Sequence, residues 1–178
     1  GNLSVAIIAE ASPDDPRAVG GVSGLLRALG RHLPAGWVIL TPSAGDSDSG
    51  GSLGPSLYSS RLPHRILFPL RLLTHISRLA RLEPDLVYTH SNEAAMLLCL
   101  LRGSRFPDLS IVHHQHGSEN PLTYATFRIG RLPGLARLYG SILGWMHRNV
   151  DHVIAIDRRC LDSDLACGVP RDRITLLP

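Results

Sequence analysis

The sequence contains no lysine; all 18 of its basic side chains are arginine. That absence removes a phosphate loop built on a G-K-[ST] lysine, a Schiff-base lysine and a lysine general base. Cysteine is scarce, with only Cys99, Cys160 and Cys167. On one helix Cys160 and Cys167 would stand two turns apart, about 10 Å between Cα atoms, too far to bridge. An odd number of cysteines in apolar surroundings reads as buried thiols in a reducing compartment. Aromatic residues make up only 5% of the chain, and the arginines behind its net charge of +3 are spread through amphipathic stretches. With no reader motif present, a nucleic-acid partner is not expected. No apolar run approaches the ~18 residues of a membrane span. The first such run, Leu3 to Ala9, lacks the basic flank of a signal peptide. Together these absences predict a cytoplasmic protein. No G-x-S-x-G elbow is present, which excludes a serine hydrolase of that type.

What is there suits one domain with a sizeable core: 178 residues, 44% apolar and 19% charged. Short apolar, β-branched runs recur: Leu3 to Ala9, Trp37 to Thr41, Leu86 to His90, Ser110 to His116, Val153 to Ile156 and Ile174 to Leu177. Helical patterns separate them, over about 22–33, 66–82, from Ser91 or Asn92 through Leu101, about 135–148, and up to Gly168. Residues 42–56, rich in Gly, Ser, Asp and Pro, read as a mobile surface loop. Regular alternation of strand and helix predicts an α/β, Rossmann-like three-layer sandwich with a mainly parallel sheet. Residues 1–178 then form a single domain.

In such a sheet ligands bind at the carboxyl ends of the strands, where strand order reverses. Three segments fall there. Gly20 and Gly21 open the first helix, where free N–H groups and the helix dipole favour an anion; two glycines also simply permit a tight turn. A dinucleotide fingerprint fits poorly, because G-x-G-x-x-G is missing and the second strand ends in Thr41-Pro42, not a ribose-binding carboxylate. His90, Ser91 and Asn92 follow a strand and enter a helix, placed either to donate to a phosphate or hydroxyl or to cap the helix. The third segment is His113-His114-Gln115-His116-Gly117-Ser118-Glu119. Strand alternation puts His114 and His116 on one face and His113 on the other. The three cannot converge without a bend, and no Cys, Asp or Glu stands at a familiar ligand spacing, so no metal is expected. His116, held at the cleft by the turn at Gly117, is the candidate catalytic group. Glu119 is either a hydroxyl acceptor or base, or a surface carboxylate.

Those strand ends, in that order, resemble the N-terminal domain of family 4 glycosyltransferases, which have the two-Rossmann-domain GT-B fold. Gly20-Gly21 is similar to the family's glycine loop. Pro84-Asp85-Leu86-Val87-Tyr88-Thr89-His90-Ser91 looks like its P-D-x-V-x-x-H segment, and Ile111 to Gly117 resembles its strand ending in H-G. Val150 to Ile156 and Gly168 to Pro178 resemble its A-D-x-V-I-A-V-S … G-V-P-x-x-R-I-x-V-I-P stretch. Asp157 stands where the family usually has Ser. The resemblance implies an acceptor-side domain whose donor-binding partner domain lies beyond residue 178. It implies retaining transfer of a sugar from a nucleotide diphosphate sugar to a hydroxyl acceptor, with no metal or other cofactor. Gly20 and Gly21 would approach the phosphates or acceptor, His116 the donor sugar, and His90 the acceptor side. Alternatives are another GT-B enzyme such as a sugar-nucleotide epimerase, or a non-catalytic nucleotide- or anion-binding module. Two arginine-bearing stretches, 61–82 and 128–148, are candidates for peripheral contact with anionic lipid at the inner face of a membrane, or for ordinary solvated helix faces.

Overall fold

The computed structural model describes residues 3–10, 21–43, 52–55, 64–116 and 133–177. Seven strands form one sheet: β1 (Val5–Ile8), β2 (Trp37–Ser43), β3 (Ser52–Pro55), β4 (Leu86–Thr89), β5 (Ser110–Gln115), β6 (His152–Ala155) and β7 (Ile174–Leu176). Their order is β3-β2-β1-β4-β5-β6-β7, and every neighbouring pair is parallel. Among the described residues six α-helices accompany them: α1 (Gly21–Gly30), α2 (His64–Thr74), α3 (Ile76–Arg81), α4 (Asn92–Arg105), α5 (Pro133–Asn149) and α6 (Arg158–Ala166). The expected parallel α/β sandwich is therefore the fold.

Alternation along the strands divides the core in two. Ala6, Ile8, Leu40, Val87, Ile111, Val153 and Ala155 face one way, where Phe68, Leu72, Leu98, Leu143 and Met146 of the helices pack on them. Val5, Ile7 and Ala9 face the other way and meet Leu26 of α1, with Ile39, Leu86 and Tyr88 beside them. Strand order runs outward from β1 to β3 in one direction and from β4 to β7 in the other. The reversal lies between β1 and β4, and ligands are expected beside their carboxyl ends.

Two motif aspartates hold strand starts together. Asp85 accepts the N–H of Ser4, at 2.8 Å, just before β1. Asp151 accepts the N–H of Ile111 at 2.8 Å through one oxygen, and Arg102 of α4 binds the other at 2.8 Å. Each carboxylate thus serves as an acceptor for a strand that would otherwise begin with a spare donor. A second buried link joins α5 to α6, where His147 Nδ1 hydrogen-bonds Asp164 Oδ1. Both side chains are buried.

The structure departs from the sequence reading in two places. Within the Gly/Ser-rich stretch 42–56, Ser52–Pro55 forms an edge strand on β2 with an irregular register. Its pairing is a backbone matter, and a proline is tolerated at a sheet edge. The single helix expected over 66–82 is two, broken at His75, whose N–H is shared between the carbonyls of Arg71 and Leu72. The Thr74 hydroxyl competes for the Arg71 carbonyl at 2.7 Å. With that break the buried set is Phe68, Leu72 and Leu79, while Leu70 and Leu73 are 54% and 46% exposed. The three cysteines are free, as expected; Cys160 is buried and the other two are half-buried. Among the described residues no helix is long and apolar enough to cross a membrane.

Candidate functional site

β4 and β5 run side by side with Thr89 opposite His113, so His90 and His114 become lateral neighbours just beyond. Two residues along β5, His116 lies on the same face as His114. The outcome is a stack of imidazoles at the carboxyl ends of these strands. The His114 and His116 rings are 4.3 Å apart, His90 and His116 4.9 Å, and His90 and His114 5.0 Å. His90 Nδ1 hydrogen-bonds His116 Nε2 at 2.7 Å. Tyr88, two residues before His90, reaches His114 Nδ1 with its hydroxyl at 2.6 Å. The N–H of His90 donates to the Ile8 carbonyl, fixing the cluster against the end of β1.

Burial sets the charge of this cluster. His90 is lowered to about 3, first by desolvation and then by repulsion from His116, His114 and His113. His114 is lowered to about 4 by burial and by His116 and His113. Desolvation also raises the Tyr88 phenol to about 12. At neutral pH His90 and His114 are therefore uncharged, and Tyr88 keeps its proton. His116 is half-buried. Neutral imidazoles exchange single hydrogen bonds with hydroxyls and offer nitrogen lone pairs, but supply no fixed positive charge.

The remaining predicted positions divide. His113 points to the opposite face, as strand alternation requires, and its ring lies 5.5 Å from that of His147. Ser91 is the cap of α4: its hydroxyl accepts the N–H of Ala94 at 3.4 Å and donates to Glu93 at 2.9 Å. Asn92, the first residue of α4, is buried with Oδ1 lacking a hydrogen-bond partner. Gly21 is the first residue of α1, whose entrance follows the end of β1. Gly20, Gly117 and Glu119 lie outside the described residues. A depression of about 380 Å³ lies elsewhere, at the amino ends of β4 and β5, lined by residues such as Glu83, Asp85, Arg105 and Phe106. By position in the sheet it is not where ligands of such folds bind.

Comparison with known proteins now decides the family. The sequence model of Glycosyltransferase Family 4 matches residues 19–178. The chain belongs to that family. A comparison with curated proteins gives no match. Among solved structures, the chain is similar to the apo form of the lipopolysaccharide outer core galactosyltransferase WaaB, with a TM-score of 0.56 and 13% identity. That match covers 97% of this chain and 44% of WaaB. It is also similar to Anabaena HepE in complex with UDP-glucose, with a TM-score of 0.53 and 16% identity, covering 97% of this chain and 43% of HepE. At such identities the likeness shows a shared fold, and the chain spans less than half the length of either protein.

Within a family 4 glycosyltransferase domain, the motif residues acquire local explanations. The Gly168-Val169-Pro170 segment closes α6: Gly168 adopts φ 83°, its N–H reaches the Leu165 carbonyl, and the Val169 N–H reaches that of Asp164. This is a Schellman closure, which favours glycine at the left-handed position. Asp157, where the family usually has Ser, caps α6 by accepting the N–H of Cys160 at 2.8 Å. Ser and Asp are comparable caps, so the departure preserves the turn. Sequence reasoning missed Tyr88 and the pairing of His90 with His116. Parity alone places Tyr88 on the His90 face; the cross-strand pairing needs the β4–β5 register, which no local motif encodes.

Proposed function

We propose that this chain is the N-terminal, acceptor-side domain of a retaining glycosyltransferase. The whole protein would move a sugar from a nucleotide diphosphate sugar to a hydroxyl acceptor, and a donor-binding domain would complete the site. The observation that carries this reading is the imidazole cluster at the carboxyl ends of β4 and β5, beside the reversal of strand order, in a family 4 chain. The HepE structure, similar in fold, is a complex with UDP-glucose.

In the proposed reaction the bond from the anomeric carbon to the diphosphate oxygen breaks. A bond from that carbon to the acceptor oxygen forms on the same face of the sugar, and the acceptor proton passes to the leaving diphosphate. Negative charge grows on the diphosphate as the bond breaks, so the amino end of α1 at Gly21 is suited to lie near it. His116, half-buried at the rim of the cluster, would hold a donor-sugar hydroxyl through one hydrogen bond. His90 behind it positions that imidazole by their 2.7 Å contact. This chemistry needs no resident metal, because the growing charge is met by fixed dipoles and by the donor domain.

The test is to supply the whole protein with a panel of nucleotide diphosphate sugars and hydroxyl acceptors and to follow the products by NMR. A glycoside with the anomeric configuration of the donor is the expected product, and the 178-residue chain alone should yield none. An epimerised nucleotide sugar would replace this reading with an epimerase. Binding without turnover by the whole protein would replace it with a binding module.

A further inference from the structure

We propose that His90, His114 and His116 form a binding site for a divalent transition metal of the Zn²⁺ class, and that its occupancy suppresses sugar transfer. The suppression rests on the function proposed above; the binding does not.

One nitrogen from each of the three rings lies within 4.8 Å of those from the other two. His90 is 7% exposed and His114 5%. The Nε2 atom of each is buried without a hydrogen-bond partner. Buried polar atoms left unpaired are rare, because each keeps the cost of leaving water with nothing in return. Two such nitrogens lie in one cluster, on rings whose centroids are 5.0 Å apart.

The surroundings of His114 have the organisation of a metal ligand. Its Nδ1 hydrogen-bonds Tyr88 Oη at 2.6 Å, which fixes the ring and leaves Nε2 as the nitrogen without a partner. A ligating histidine typically uses its second nitrogen in this way. Tetrahedral zinc with its usual Zn–N bonds of about 2.0–2.1 Å sets nitrogens about 3.4 Å apart. The rings would rotate at the ends of two hydrogen-bonded strands to bring one nitrogen of each to that spacing. The 2.7 Å bond between His90 Nδ1 and His116 Nε2 would open, or His116 would turn to present its other nitrogen. An all-imidazole set selects zinc-like ions over Mg²⁺ and Ca²⁺, which take oxygen ligands. Three ligands leave one position of a tetrahedral ion for water.

Strand alternation holds His113 on the opposite face from His114 and His116, so those three do not share a metal. The site uses a different trio: His90, just beyond β4, takes the place of His113. Because His116 is the group assigned to the donor sugar, ligation withdraws it from that contact.

The experiment titrates metal-free protein with ZnCl₂ against a competing chromophoric chelator. One zinc per chain is expected, with affinity reduced roughly tenfold or more in His114→Gln and in His90→Gln. His32→Gln, an exposed histidine, should leave it unchanged. Circular dichroism confirms that each variant is folded, and Co²⁺ in place of Zn²⁺ should give the visible absorption of a tetrahedral site in wild type only. No zinc binding, or binding indifferent to both cluster variants, overturns the site. In the transfer assay, zinc should inhibit wild type and inhibit His114→Gln at least tenfold less effectively. Zinc that binds the cluster while transfer continues unaffected overturns the suppression.

Discussion

His116→Ala in the whole protein is expected to lower kcat by about tenfold to a thousandfold while leaving the protein folded. The rate loss follows from one hydrogen bond to the donor sugar that strengthens as charge develops in the transition state. The stability loss is smaller and separate. Removing the ring leaves His90 Nδ1 without its 2.7 Å partner, which costs about 1–2 kcal/mol, or about 2–8 °C in Tm. His116→Gln restores a donor and acceptor and should recover part of kcat. The two readouts are transfer kinetics and thermal unfolding of the same preparations. A His116→Ala variant with wild-type kcat removes His116 from the reaction, and one that does not fold assigns it to structure alone.

Asp164→Ala should be the most damaging single change to the fold outside the sheet. His147 of α5 and Asp164 of α6 are 4% and 0% exposed and hydrogen-bond each other. Deleting the carboxylate leaves an imidazole buried with neither nitrogen paired, since Nε2 already lacks a partner. The expected cost is about 3 kcal/mol, or about 6–12 °C in Tm for a chain of this size. Asp164→Asn keeps an acceptor at that position and should lose less than half as much. A Tm for Asp164→Ala within about 2 °C of wild type would show that the pair contributes nothing net, as some buried polar pairs do.

The fold was readable because strand and helix signals alternate and because a buried parallel strand shows itself as a short apolar run. The edge strand Ser52–Pro55 escaped for the converse reason: its Ser-Leu-Gly-Pro sequence has no apolar pattern, and only the neighbouring β2 backbone makes it a strand. Periodicity predicts one continuous helix over 66–82 because it does not register a carbonyl claimed by the Thr74 hydroxyl. At the site, alternation correctly separated His113 from His114 and His116. It did not bring in His90, whose place beside His114 depends on how β4 registers with β5. Likewise Asp85 and Asp151 were visible as motif residues, but their work as acceptors for neighbouring strand N–H groups is a tertiary fact. The His147–Asp164 pair had no sequence signal, because its members lie on different helices.

The most direct test of the central claim is a crystal structure of the whole protein with an unreactive nucleotide diphosphate sugar. The account predicts the sugar at the carboxyl ends of β4 and β5, with one of its hydroxyls within about 3.2 Å of a His116 ring nitrogen, and the diphosphate facing the amino end of α1. A donor bound away from the imidazole cluster, for example in the depression beside Asp85 and Phe106 at the other end of the sheet, would contradict it.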